Sequence, residues 1–283
     1  MTTPRSGAVE LPDGRRLVFC EWGDAGGPPV VLLHGAPGSR LFHPDAATTT
    51  ASGVRLVTFD RPGYGGSHRN EGRTLLDTAF DVVALADHLG LERFSVVGVS
   101  AGGAHALACA HAARDRLAHV AVASTPGPLD EVPGAWAALP QHVRPAAERA
   151  RHDPQGAARG VLRYMRPFVE DPGTFLGGGT RPDRAVLSEP AVAGMLGADV
   201  TEAFRPGADG FADDMLALWR PWGFRIAALP PGVRIWHGAH DTRAEPDFRH
   251  LAATLPGARP TIWPGEGHYG ALRHWREILE TCL

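Results

Sequence analysis

The sequence predicts an α/β protein, with a mostly parallel central sheet, helices on both of its faces and one inserted cap. Three observations carry that prediction. Short, mostly apolar runs recur at Val30-Val31-Leu32-Leu33 and at residues 54–59, 94–99, 120–123 and 233–236, the pattern of strands buried on both faces. Helical patterns lie between them, and the clearest runs from Thr74 to Leu89, where Leu75, Leu76, Ala79, Val82, Val83, Ala86 and Leu89 repeat at helical spacing. The alternation then breaks for about a hundred residues and resumes, as an insertion between two core strands would make it do.

In chain order, residues 8–11 and 15–22 flank the turn Pro12-Asp13-Gly14 and read as a hairpin. The run 94–99 hands over to an alanine-rich helix from Ala101 to Ala113. Residues 126–229 are rich in Pro, Gly, Ala and Arg and carry only broken helical stretches, with Gly177-Gly178-Gly179 and Arg205-Pro206-Gly207 as internal joints. The expected division is therefore a core of residues 1–125 and 230–283 and a cap of residues 126–229. A last strand at Pro260 to Trp263 precedes a terminal helix from Ala271 to Leu279.

Composition bounds the partners. The 283 residues include 43% hydrophobic and 21% charged side chains and sum to a net charge of −3, so neither nucleic acid nor an anionic membrane is electrostatically favoured, and a small-molecule substrate is expected. All 28 cationic side chains are arginines, a compositional bias rather than a device. Cys20, Cys109 and Cys282 have no CxxC spacing and imply neither a disulfide framework nor a metal site. The first residues lack the apolar core of a signal peptide, and no apolar run reaches 18 residues, which makes the cytoplasm the expected location. The oligomeric state stays open, a homodimer included.

The most informative stretch is Gly98-Val99-Ser100-Ala101-Gly102. Of eight serines only Ser100 has glycine two places before and two after. A sharp strand-to-helix turn holds such a serine out of the sheet, next to a base and near backbone donors, and glycines at those spacings relieve the crowding. A serine nucleophile needs a base, and the base needs an acid that fixes its tautomer. His268 lies in the glycine-bracketed loop Pro264 to Gly270 after the last strand, and Asp241 ends Trp236 to Asp241 one strand earlier. Both are strand carboxyl ends, where open parallel sheets place active residues. An oxyanion hole needs two N–H groups aimed at one point. Ala101 follows the nucleophile, and Ala36 is the donor in His34-Gly35-Ala36-Pro37-Gly38, since Pro37 has no N–H.

Histidines elsewhere have plainer roles. His237, His240 and Asp241 bracket a strand-end turn rather than share a helix face, which is poor metal spacing, and no metal or cofactor is expected. His34 reads as a shaper of its loop, and His105 lies on the far side of the helix that Ser100 opens. Asp213 and Asp214 rival Asp241 as polar site residues, and Asp214, with Trp136 and Phe168 of the cap, is an expected substrate contact.

Four signatures in one order resemble a serine α/β-hydrolase of the capped, esterase-like and lipase-like kind. They are His34-Gly35-x-Pro37-Gly38, Asp60-Arg61-Pro62-Gly63-Tyr64-Gly65-Gly66-Ser67, the Ser100 elbow, and the Asp241 and His268 loops, and the likeness runs from about residue 8 to the C-terminus. The resemblance implies a Ser, Asp, His triad order and gives Asp60 to Ser67 a structural role. Relatives with aspartate at the elbow, dehalogenases and epoxide hydrolases, are disfavoured by Ser100, and the elbow departs from that of proline-releasing peptidases. The first expectation is a cofactor-free serine hydrolase of small or medium-sized esters, thioesters or lactones. A biosynthetic enzyme using the same triad for C–C cleavage, acyl transfer or cyclisation is the second, and a binding protein with a silent triad the third.

Overall fold

The computed structural model describes residues 4–283. Eight strands form one sheet in the order β1-β2-β4-β3-β5-β6-β7-β8. They are β1 (Arg5–Glu10), β2 (Arg16–Gly23), β3 (Pro29–Leu33), β4 (Arg55–Phe59), β5 (Phe94–Val99), β6 (Leu117–Ala123), β7 (Arg234–Gly238) and β8 (Arg259–Trp263). β2 runs antiparallel to both β1 and β4, and the remaining neighbours are parallel. The central strands are buried along their length, as two helical layers require. Alternate residues feed separate cores: Val31, Leu33 and Val96 face one, Val30, Leu32 and Val97 the other.

Helix α1 (Ala46–Ala51) joins β3 to β4, α2 (Leu75–His88) joins β4 to β5, and α3 (Ala101–Ala112) joins β5 to β6. Because β4 and β5 flank β3 on opposite sides, the chain reverses direction across the sheet there, and that crevice is where such sheets bind ligands. Helix α2 begins with a capping box between Thr74 and Asp77.

Between β6 and β7 the chain makes six α-helices: α4 (Ala135–Ala138), α5 (Arg144–Arg149), α6 (Pro154–Glu170), α7 (Arg181–Leu187), α8 (Pro190–Ala203) and α9 (Asp209–Trp219). Helix α10 (Glu245–Thr254) lies between β7 and β8. The terminal helix expected as one piece is two, α11 (Gly270–Arg273) and α12 (Trp275–Glu280), broken at His274. Trp275 is buried against the sheet and donates its indole N–H to Thr49 of α1, and this anchoring sets α12 apart from α11. Among the described residues no helix is long and apolar enough to cross a membrane.

Candidate active site

β5 ends at Val99, and Ser100 turns the chain into α3 with φ 54° and ψ −128°, a region that L residues seldom occupy. The turn is tight because strand and helix almost touch. A Cβ on Gly98 would run into the Gly102 carbonyl, and one on Gly102 into that of Leu33. Ser100 N–H donates to the Ala123 carbonyl (2.9 Å), which ties the turn to β6.

From this elbow Ser100 Oγ donates to His268 Nε2 at 3.0 Å, and His268 Nδ1 donates to Asp241 Oδ2 at 2.6 Å. The two loops that supply base and acid are stitched together. Ala239 N–H donates to the Trp263 carbonyl (3.0 Å) and His240 N–H to that of Glu266 (2.9 Å). Gly238 permits the approach, since a Cβ there would strike the Gly267 carbonyl. Burial alone would raise the Asp241 carboxyl, but its hydrogen bond to His268 and the charge of Arg243 outweigh that and leave it below the ordinary value.

The loop after β3 is held from behind. Arg61 donates to the carbonyls of His34 and Gly35. In a trans peptide the N–H points opposite to the C=O, so the Ala36 N–H is turned away from Arg61. Ala36, Ser100, Ala101 and His268 all line one cavity of about 320 Å³, and Ala101 N–H belongs to the open first turn of α3. His34 itself is buried, and burial together with the Arg61 charge pushes its imidazole well below its usual value. The neutral ring donates from Nδ1 to the Gly35 carbonyl and accepts the Arg61 N–H at Nε2.

Asp214 is not a substrate contact. It is fully buried and accepts from Arg61 (2.6 Å), Arg73 (2.8 Å), Tyr64 Oη (2.8 Å) and His105 Nε2 (3.1 Å). Burial opposes its charge, yet the two guanidiniums hold the carboxyl well below the usual carboxylate range. Asp213 is likewise buried and bound to Arg69. Asp214 therefore joins α9 to the loop Asp60 to Ser67, Asp213 joins it to Arg69 just beyond that loop, and neither acid lines the cavity.

Trp136 and Phe168 also lie off the cavity wall. Trp136 donates to Asp130 and sits beneath the Arg151 guanidinium, whereas its helix turns Ala135 and Ala138 inward. Phe168 packs on Tyr164 and Phe175, and it is Tyr164, one turn earlier, that reaches the cavity. The wall is mostly apolar, with Leu139, Val143, Val161, Phe211, Met215 and Trp219 from the β6–β7 segment.

Sequence reasoning passed over three residues that shape this region. Asp183 of α7 accepts the Tyr269 N–H (3.0 Å) beside His268 while closing a capping box with Thr180, and the Thr-x-x-Asp spacing was its visible signal. Asp247 accepts the Gly127 N–H (2.9 Å), and Ser124 lines the cavity at the end of β6. No sequence pattern marks those two. His237, named above beside His240, stacks on Phe248 in the core.

A family model described as alpha/beta hydrolase fold matches residues 28–162. The acetyltransferase component of the acetoin cleaving system of Pseudomonas putida is 32% identical over 166 residues, 55% of this chain and 44% of that protein. A proline iminopeptidase of Xanthomonas citri is 35% identical over 119 residues, 39% of this chain and 36% of that protein. The chain thus spans less than half the length of either relative. A hydrolase structure from Pseudomonas aeruginosa superposes with a TM-score of 0.73 at 20% identity, covering 98% of this chain and 96% of that one, and so shares the fold. With its matched family model, this sheet order and this superposition, the chain has the α/β-hydrolase fold.

Proposed function

We propose that the protein is a serine hydrolase that cleaves a small or medium-sized ester, thioester or lactone through an acyl-enzyme on Ser100. The observation that carries this reading is the unbroken line of hydrogen bonds from Ser100 through His268 to Asp241, opening on a mostly apolar cavity. Ser100 Oγ attacks the carbonyl carbon as its proton passes to His268 Nε2, and Asp241 holds the imidazolium that forms. The oxyanion is bound by the N–H groups of Ala36 and Ala101. His268 then gives its proton to the leaving oxygen or sulfur, and the acyl bond to it breaks. Water attacks the acyl-enzyme with His268 as base, releasing the acid and restoring the Ser100 hydroxyl. Residues 126–229 act as the cap that shapes the acyl pocket.

Acyl transfer would use the same residues with another acceptor in place of water, and C–C hydrolysis would keep water but expel a carbon leaving group that takes up the proton. The test is kinetic. Ser100→Ala and His268→Ala should each remove nearly all turnover of p-nitrophenyl esters, and the double variant little more, because members of a triad act as a unit. Retention of more than about a tenth of wild-type kcat/KM in Ser100→Ala would sink the assignment.

A further inference from the structure

Among the described residues only two that are not glycine have positive φ, Ser100 at 54° and Ser124 at 51°. They are neighbours. Val99 pairs with Ala123 across the parallel ladder, so Ser100 and Ser124 are the next residues off the ends of adjacent strands, which run about 4.8 Å apart. The unusual backbone of Ser124 is fixed from outside, by its N–H donating to the Trp236 carbonyl at 2.9 Å. The turn that follows is fixed as well, by Gly127 N–H on Asp247.

Ser124 is only 2% exposed, lines the same cavity as Ser100 and His268, and its Oγ has no hydrogen-bond partner among the described residues. A buried hydroxyl without a partner is unfavourable unless something else fills the role. Most of the surrounding wall is apolar and offers nothing. A strained residue with an unpaired, buried hydroxyl on the cavity wall, one strand from the nucleophile, is a ligand group rather than a packing accident.

Resting on the hydrolase reading above, we infer that Ser124 is a substrate-binding residue whose hydroxyl engages an oxygen substituent on the acyl chain, one or two carbons from the scissile carbonyl. The acyl side is selected by exposure. The leaving group departs past His268, whose side chain is 24% exposed, while Ser124 belongs to the closed wall beside the part that stays on Ser100. The preferred substrates are then esters or lactones of 2- or 3-oxygenated acids with an apolar tail. A site built to hydrogen-bond a substrate hydroxyl discriminates against the analogue that lacks it.

The test compares p-nitrophenyl 3-hydroxybutyrate with p-nitrophenyl butyrate, which share a leaving group, in wild type, Ser124→Ala and Ser124→Gly. The readout is the ratio of the two kcat/KM values. Wild type should favour the hydroxylated ester by about tenfold, and both variants should bring the ratio close to one. Glycine relieves the backbone strain and alanine keeps it, so agreement between them isolates the hydroxyl and guards against misfolding. A ratio that is the same in all three proteins overturns the inference, as does a wild-type ratio restored by glycine alone. Failure of wild type to hydrolyse either ester, with no adduct forming on Ser100, instead removes the hydrolase reading and this one with it.

Discussion

Removing the Asp214 carboxylate should unfold the protein at a distinctly lower temperature and slow it as well, although Asp214 touches no part of the cavity. Asp214→Ala leaves Arg61 and Arg73, both fully buried, without the anion that now lies 2.6 Å and 2.8 Å from them. Breaking a buried pair by deleting one partner costs roughly 3–5 kcal/mol, because an uncompensated charge stays behind. Unfolding entropy is about 2.1 cal/mol/K per residue, or about 0.6 kcal/mol/K for 283 residues, so a loss of about 4 kcal/mol lowers Tm by about 7 °C. Arg61 is also the clamp on the His34 and Gly35 carbonyls. Once freed it no longer fixes the direction of the Ala36 N–H, and kcat should fall more than KM rises, since an oxyanion donor acts in the transition state. The assay is thermal unfolding followed by circular dichroism near pH 7.5, together with ester kinetics well below the new Tm. A Tm within about 1 °C of wild type would refute the reasoning, because the cluster would then contribute no net stability.

Three more outcomes are expected. Asp241→Asn should lower kcat by about three to four orders of magnitude with little change in KM, because the amide favours the wrong His268 tautomer, and a rate near wild type would refute that role. Asp199, buried and accepting from Ser39, has its carboxyl pushed by burial from 3.8 up to about 7. A raised carboxyl stabilises the fold fully below the unfolded value and loses that contribution as pH rises through the folded one, so about 2 kcal/mol should disappear between pH 5.5 and 8.5. Asp199→Asn should flatten that part of the Tm-against-pH curve, and an unchanged slope would count against it. Phe211→Ala or Trp219→Ala, on the cavity wall, should shift relative kcat/KM between short and long acyl esters, whereas uniform loss along the series would mean that these side chains only hold the segment in place.

Legibility in the sequence followed the physical range of each signal. The strands showed because both of their faces are buried, so Val30 to Leu33 or Phe94 to Val99 need only their own residues to declare themselves. The Ser100 turn showed because its crowding is local and two glycines mark it. Asp214 did not, since its partners Arg61, Tyr64 and Arg73 lie about 140 to 150 positions away, and a bare acidic pair in a mostly apolar stretch carries no sign of them. The cavity wall was readable only as composition. Tyr164 and Phe168 share one face of α6, and which of them meets the cavity depends on how α6 packs on its neighbours. Ser124 was illegible for a related reason, as its positive φ comes from where β6 ends against β7.

The central claim is that Ser100 is a nucleophile activated by His268, and active-site phosphonylation tests it most directly. Intact-protein mass spectrometry after exposure to a fluorophosphonate should show a single adduct on wild type, mapped by peptide analysis to Ser100. No adduct should form on Ser100→Ala, and labelling of His268→Ala should be slowed by orders of magnitude. An unlabelled wild type, or an adduct that persists in Ser100→Ala, would contradict the account.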